Sequence, residues 1–142
     1  MLDDIRTECF MLCDAAQESN GKRYILGGGW DSLFVPTLPW TQRQLALAIR
    51  LAVPWNEGNR PHSFQIELLD EDRNNILPGP FEGQLRVGRP PTALEGQDLP
   101  ILLAVTAVDL VFPTVGTYVF RLVIDGREQA TTMLLVRKAG EV

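Results

Sequence analysis

The chain of 142 residues has the length of one domain, and its composition, 45% hydrophobic and 22% charged, is that of a globular protein and not of a disordered one. Its net charge of -5 arises from 18 acidic against 13 scattered basic residues, which argues against nucleic acid as a partner. The sequence has neither a signal-peptide pattern nor an apolar run that could cross a bilayer, so we expect a cytoplasmic protein that does not contact a membrane.

Apolar residues alternate with polar ones along much of the chain, and turn dipeptides recur, which is typical of a β-sandwich or barrel. The first predicted hairpin joins residues 8–16 to residues 23–26 around Asn20-Gly21, because this dipeptide supplies the positive φ angles of a tight turn. The clearest strand covers residues 44–53, where branched aliphatic side chains occupy every second position. A helix would scatter these side chains around its circumference.

Further strands follow the same pattern in the second half of the chain. They are predicted at residues 62–69, 81–87, 99–111, 117–124 and 129–136, and a second hairpin closes at Asp125-Gly126. Connectors rich in proline or glycine are long enough to cross between sheets. The sequence therefore predicts one all-β domain over residues 1–142, an antiparallel two-sheet sandwich of about eight strands.

The alternation within these strands also predicts the core. We expect Leu47, Ile49 and Leu51 of one strand to be buried together with Phe120 and Leu122 of another.

The chain has two cysteines, Cys9 and Cys13, which lie four residues apart on one predicted strand. That spacing separates their Cα atoms by about 13 Å, whereas a disulfide spans no more than about 7 Å. We therefore expect two free thiols, which suit a reducing compartment.

Several motifs spread over the chain resemble a family of uncharacterised bacterial domains. These are NGK (20–22), GGGW (27–30), RLAVPWNEGNRPH (50–62), IELLDED (66–72), VGRPP (87–91) and PTVGTY (113–118). The resemblance implies an immunoglobulin-like sandwich and implies no activity. Independently, Gly116 and Tyr118 at a strand start are similar to the tyrosine corner of immunoglobulin-like domains, in which the hydroxyl bonds to the backbone.

One acidic loop, Asp70–Asn75, is the candidate for a cation site. Asp70, Asp72 and Asn74 offer the oxygen ligands that calcium prefers, and they match the opening of an EF-hand loop, but the remaining positions of that loop do not match. The alternative is a solvated turn, because Asp and Asn bond to nearby backbone. The sequence predicts no cofactor.

His62 is the single histidine, so a catalytic dyad or triad would have to include it. Its neighbour Ser63 points to the opposite face of a strand, and Cys9 or Cys13 would be the other nucleophiles. A cavity lined by titratable groups beside His62 would favour a hydrolase over the alternative of a polar strand start.

Four aromatic residues, Trp30, Phe34, Trp40 and Trp55, lie in the predicted connectors. They either plug the ends of the sandwich or form an exposed anchor for a protein partner. Without a convincing catalytic constellation, the leading hypothesis is a noncatalytic interaction module that binds itself or another protein, and the alternative is a cation- or small-ligand-binding domain.

Self-association is expected to involve the last strand, residues 129–136, which carries no charge and no proline. If this strand forms a sheet edge, it lacks the usual protection against pairing with another chain. We therefore expect a homodimer, weakened by a lysine at Thr131 or Met133, whichever faces outward.

Overall fold

The computed structural model describes residues 4–140 as nine β-strands and one short 3-10 helix. The strands are β1 (Arg6–Ser19), β2 (Lys22–Gly28), β3 (Ser32–Val35), β4 (Trp40–Val53), β5 (His62–Leu69), β6 (Glu82–Leu85), β7 (Leu99–Phe112), β8 (Gly116–Ile124) and β9 (Arg127–Lys138), and the 3-10 helix η1 (Trp55–Glu57) follows β4. The predicted all-β fold is confirmed. β3 is the strand that sequence patterning missed, and it lies inside the long connector before β4.

Two sheets pack face to face. Sheet A has the strand order β2-β1-β4-β7, and sheet B has the order β3-β9-β8-β5-β6. Neighbouring strands are antiparallel except β3 and β9, which run parallel, with Ser32 opposite Leu135 and Val35 opposite Lys138. This one parallel pair departs from the purely antiparallel arrangement that the sequence predicts.

The last strand, whose position at a sheet edge was the condition for the predicted homodimer, is not the outermost strand of sheet B. β9 lies between β8 and β3, because β3 pairs with Leu135–Lys138 and takes the outer position. The edges of the sandwich are β2 and β7 in sheet A and β3 and β6 in sheet B. β3 covers only the end of β9, so residues 129–134 have no strand partner on this side among the described residues, and the homodimer stays a prediction.

The core lies between the sheets, as the alternation predicts. Leu47, Ile49, Leu51, Phe120 and Leu122 are all 2% exposed or less. The tyrosine corner is also present: the Tyr118 hydroxyl donates a hydrogen bond of 2.8 Å to the backbone oxygen of Thr114. Its buried ring packs edge-on against Phe112, with the ring centroids 5.1 Å apart.

A second, smaller buried cluster lies on the other face of sheet A. Ala46, Ala48 and Cys13 are completely buried there, and Met11, Ala16 and Ile25 pack against them. Because Ile25 belongs to β2, the β1–β2 hairpin contributes to covering this face of sheet A. Part of β4 is consequently buried on both of its faces.

The two cysteines are unbridged and lie on β1, as expected. Burial, with a smaller contribution from Asp14, raises the pKa of the Cys13 thiol. A raised pKa lowers the thiolate fraction, so Cys13 is a packing residue and not a reactive one.

Candidate functional site

Two of the three tryptophans pack at the periphery of the core. Trp30 and Trp40 are half-buried and pack against the main hydrophobic cluster, and the Trp40 indole N–H donates to Gln42 at 2.9 Å. Trp55 is also half-buried, and the guanidinium of Arg89 lies 4.9 Å from its ring centroid while donating two hydrogen bonds to the Trp55 carbonyl. Trp30 and Trp40 thus pack against the core, and Trp55 packs against Arg89. The buried Trp30 indole N–H has no hydrogen-bond partner among the described residues, and the tryptophans do not form a common exposed surface.

Phe34 differs from the tryptophans because it is 59% exposed. Its neighbours on β3, Leu33 and Val35, face the core, so the strand alternation turns Phe34 to the outer face of sheet B. On β9 the same alternation buries Leu134 and Val136 and turns Met133 and Leu135 outward.

Phe34 belongs to an apolar surface at this end of sheet B, which we call the β3–β9 patch and define as Phe34, Val115, Met133 and Leu135. Val115 and Met133 are exposed, and Leu135 is half-buried. Val115 and Leu135 line a shallow depression of about 300 Å³. The patch joins a predicted partner-binding residue, Phe34, to residues near the other end of the sequence.

Charge is distributed unevenly around the β3–β9 patch. Arg137 lies opposite Phe34, and Lys138 lies opposite Val35. Within residues 4–140, neither cation forms a salt bridge. The patch therefore has a basic rim beside its most exposed ring.

Farther along the same face of sheet B, the charges are paired. Arg121 is neutralised by Glu67 at 2.7 Å and by Glu128 at 2.9 Å. These two contacts raise the pKa of Arg121, so the guanidinium stays charged.

The acidic loop forms a hydrogen-bonded turn. One carboxylate oxygen of Asp70 accepts hydrogen bonds from the backbone N–H groups of Asp72 and Asn74, both at 2.9 Å. The amide oxygen of Asn75 accepts two more, and Glu71 accepts one from Thr117 at the start of β8. No group of three metal-binding side chains is found in the part of the chain that the structure describes.

His62 lies beside a cavity of about 500 Å³ that is lined by titratable residues. Its Nδ1 is 2.6 Å from Asp125, and its Nε2 is 3.5 Å from Glu57. Burial raises the pKa of Asp125, but hydrogen bonds from His62 and from the Ser63 backbone outweigh it, and the net pKa is lowered.

The lining of this cavity limits its chemistry. It contains the carboxylates of Asp4, Glu57, Asp125 and Glu128 and the guanidinium of Arg127, but no serine, threonine or cysteine among the described residues. The titratable cavity that would favour an enzyme is present, whereas no serine, threonine or cysteine nucleophile is among its described lining residues. The group can exchange protons, but no hydroxyl or thiol in its lining could form a covalent intermediate.

Sequence reasoning named His62 but missed its partners. Asp125 is 63 residues away and Glu57 lies in η1, and the pairing of β5 with β8 brings Asp125 to His62. Asp125 had a local explanation as a turn residue, so its side chain gave no separate signal.

Two packed sheets with a tyrosine corner define the class of this protein as an immunoglobulin-like β-sandwich. The chain belongs to a family of unknown function, DUF6941, whose sequence profile matches residues 8–137.

Solved structures with a similar arrangement are distant. An immunoglobulin-like protein from Pseudomonas aeruginosa is 13% identical with a TM-score of 0.38, and the match covers 94% of this chain and 97% of that one. The alkylpurine DNA glycosylase AlkC from Pseudomonas fluorescens, bound to DNA containing an abasic site analog, is 9% identical with a TM-score of 0.39. The match covers 94% of this chain and only 30% of the glycosylase chain.

No curated protein matches the sequence significantly. Among the described residues, no helix has the length and apolar character needed to cross a membrane.

Proposed function

We propose that this domain is a noncatalytic interaction module that binds a protein partner through the β3–β9 patch. The observation that carries the proposal is the exposure of Phe34, Val115 and Met133 on one end of sheet B. Clustered exposed apolar side chains mark interaction sites, and aromatic side chains are frequent anchors in them.

The surroundings of the patch specify the chemistry of the partner. Arg137 and Lys138 border the apolar residues without salt-bridge partners within residues 4–140. A complementary partner surface is apolar at its centre and acidic at its rim, since charges across an interface are arranged in opposite signs. The unbridged Cys9 and Cys13 support a cytoplasmic location for this interaction, because the cytosol keeps thiols reduced.

The proposal is tested by affinity capture from an extract of the source organism. The immobilised domain is compared with a patch variant, Phe34→Ser with Met133→Lys, and with a control, Leu94→Ser, which alters an apolar residue that is 73% exposed in the connector before β7. Circular dichroism and thermal melting first establish that all three proteins fold alike.

We expect proteins that are retained by the wild type and the control to be lost from the patch variant. Their retention should weaken at high salt, because salt screens the basic rim. Retention of the same proteins by all three forms, or of none by the wild type, would contradict the proposal.

A further inference from the structure

The four sheet edges differ in how they are protected. Natural edge strands avoid pairing with other chains by being short, by carrying charge or proline, or by bending away. β3 and β6 have only four residues each, and β6 includes Glu82. β2 carries Lys22 and Arg23, and its backbone turns sharply at Gly27, whose φ is 59°, one residue before the strand ends at Gly28.

β7 is the exception among these edges. It has 14 residues and pairs with β4 along its length, from Leu99 opposite Val53 to Phe112 opposite Trp40. Its other side has no strand partner within residues 4–140, and no loop backbone there donates a hydrogen bond to it. β4 thus holds β7 in a regular extended conformation that can accept a further strand.

Protection on β7 is confined to two positions. Pro100 lies near its start, and Asp109, with a φ of 53°, lies near its end and is its only charged residue. The stretch between them, ILLAVTAV (101–108), is uncharged and of normal strand length. Beside its end runs an apolar groove of about 250 Å³, lined by Leu77, Phe81 and Val108 among others.

We infer that this free edge of β7 pairs with β7 of a second copy of the chain, in antiparallel orientation about a twofold axis near Ala104. A partner strand here must be uncharged over its central residues, and β7 itself meets that requirement. A twofold pair is also closed, so it leaves neither copy with the exposed stretch. Self-association is thereby assigned to β7.

Charge is compatible with this pairing although each chain is acidic overall. With the axis near Ala104, the two Asp109 carboxylates lie about 30 Å apart, well beyond the Debye length of about 8 Å. Each Asp109 is then close to residue 99 of the other copy, next to Asp98. Arg6 already neutralises Asp98 at 2.6 Å, so like charges do not oppose each other at the ends of the pair.

Sedimentation equilibrium of the full chain over a wide concentration range tests the inference. Val108→Lys introduces a charge at a position of the edge that is 60% exposed. The matched control is Val115→Lys, the same substitution at a residue that is 48% exposed but belongs to the β3–β9 patch. Thr106→Lys is a second edge variant in case the first fails to fold.

We expect the wild type and Val115→Lys to form dimers, and the edge variants to raise the dimer dissociation constant by about tenfold or more. Hydrogen exchange should show protection of amides within residues 101–108 that decreases on dilution. A wild type that stays monomeric, or a dimer unaffected by the edge variants, would overturn the inference. So would protection of the residue 101–108 amides that develops only when an unrelated protein is added.

The inference is independent of the proposed function. Loss of captured partners from the Phe34 variant tests the β3–β9 patch on sheet B. Loss of the dimer in the Val108 variant tests the β7 edge of sheet A.

Discussion

Ala48→Val separates two interpretations of β4. In sequence, Ala48 occupies the alternation phase opposite the aliphatic core residues, and on an open face valine would raise strand propensity on a scale that spans about 1 kcal/mol. In the structure Ala48 is completely buried, lies opposite Met11 of β1 and Ala104 of β7, and belongs to the cluster on which Ile25 packs. Valine adds two methyl groups at this fully buried position, where they must displace these neighbours.

Overpacking of this kind costs typically about 1–3 kcal/mol. Urea unfolding measures the effect directly, because the free energy of unfolding of a small protein falls by about 1–3 kcal/mol per molar urea. We therefore expect the urea concentration at the unfolding midpoint to fall by about 1 M, while the slope of the unfolding free energy against urea stays unchanged. The matched control is Ala15→Val, a half-buried position opposite the exposed Leu26, where the change should stay within about 0.5 kcal/mol.

An Ala48→Val protein as stable as the wild type, or more stable, would refute the reasoning. That outcome would mean that the outer face of β4 is open and that the β1–β2 hairpin does not cover it.

Other perturbations address the core, the corner, the histidine and the acidic loop. Ile49→Ala should destabilise the domain by about 2–5 kcal/mol in the same urea assay, and a neutral result would mean that the wrong face of β4 was assigned to the core. Tyr118→Phe should cost about 1 kcal/mol, since it removes only the corner hydrogen bond, and an unchanged midpoint would deny that bond a role. The lowered pKa of Asp125 stabilises the fold fully above its unfolded pKa of about 3.9, and this stabilisation is lost as the pH falls through the lower folded pKa. Stability below about pH 4 should therefore fall less steeply in Asp125→Asn than in the wild type, and equal slopes would exclude the contact with His62 as the cause. Calcium should leave the melting temperature nearly unchanged. If the acidic loop bound calcium, a concentration of a hundred times the dissociation constant would add about 2.7 kcal/mol to the free energy of unfolding. A shift in melting temperature that disappears in Asp70→Asn would contradict the assignment of this loop as a turn.

Local patterns in the sequence predicted the parts of the fold that local physics determines. The turns at Asn20 and Asp125 have φ angles of 53° and 51°, as the hairpin dipeptides require. The core positions of β4 and β8 followed from strict alternation, and the corner of Tyr118 followed from its spacing to Gly116. In each case the deciding information lies within a few neighbouring residues.

The features that sequence missed depend on distant segments. β3 has four residues in a long connector, and its pairing with β9 joins positions about a hundred residues apart, which no local pattern encodes. Burial of Ala46 depends on where the β1–β2 hairpin folds. The β3–β9 patch was half predicted. Phe34 was a candidate, but Val115 and Met133 come to the same end of sheet B only when the sheet has folded.

The position of β9 inside sheet B has a consequence for the order of events in the cell. During synthesis β3 leaves the ribosome early, but β9, its one strand partner within residues 4–140, ends at Lys138. Sheet B therefore cannot close until nearly all of these 142 residues have been made. A chain interrupted before β9 cannot place Phe34 beside Arg137, so the partner site that we propose forms only after β9 has been made and has folded.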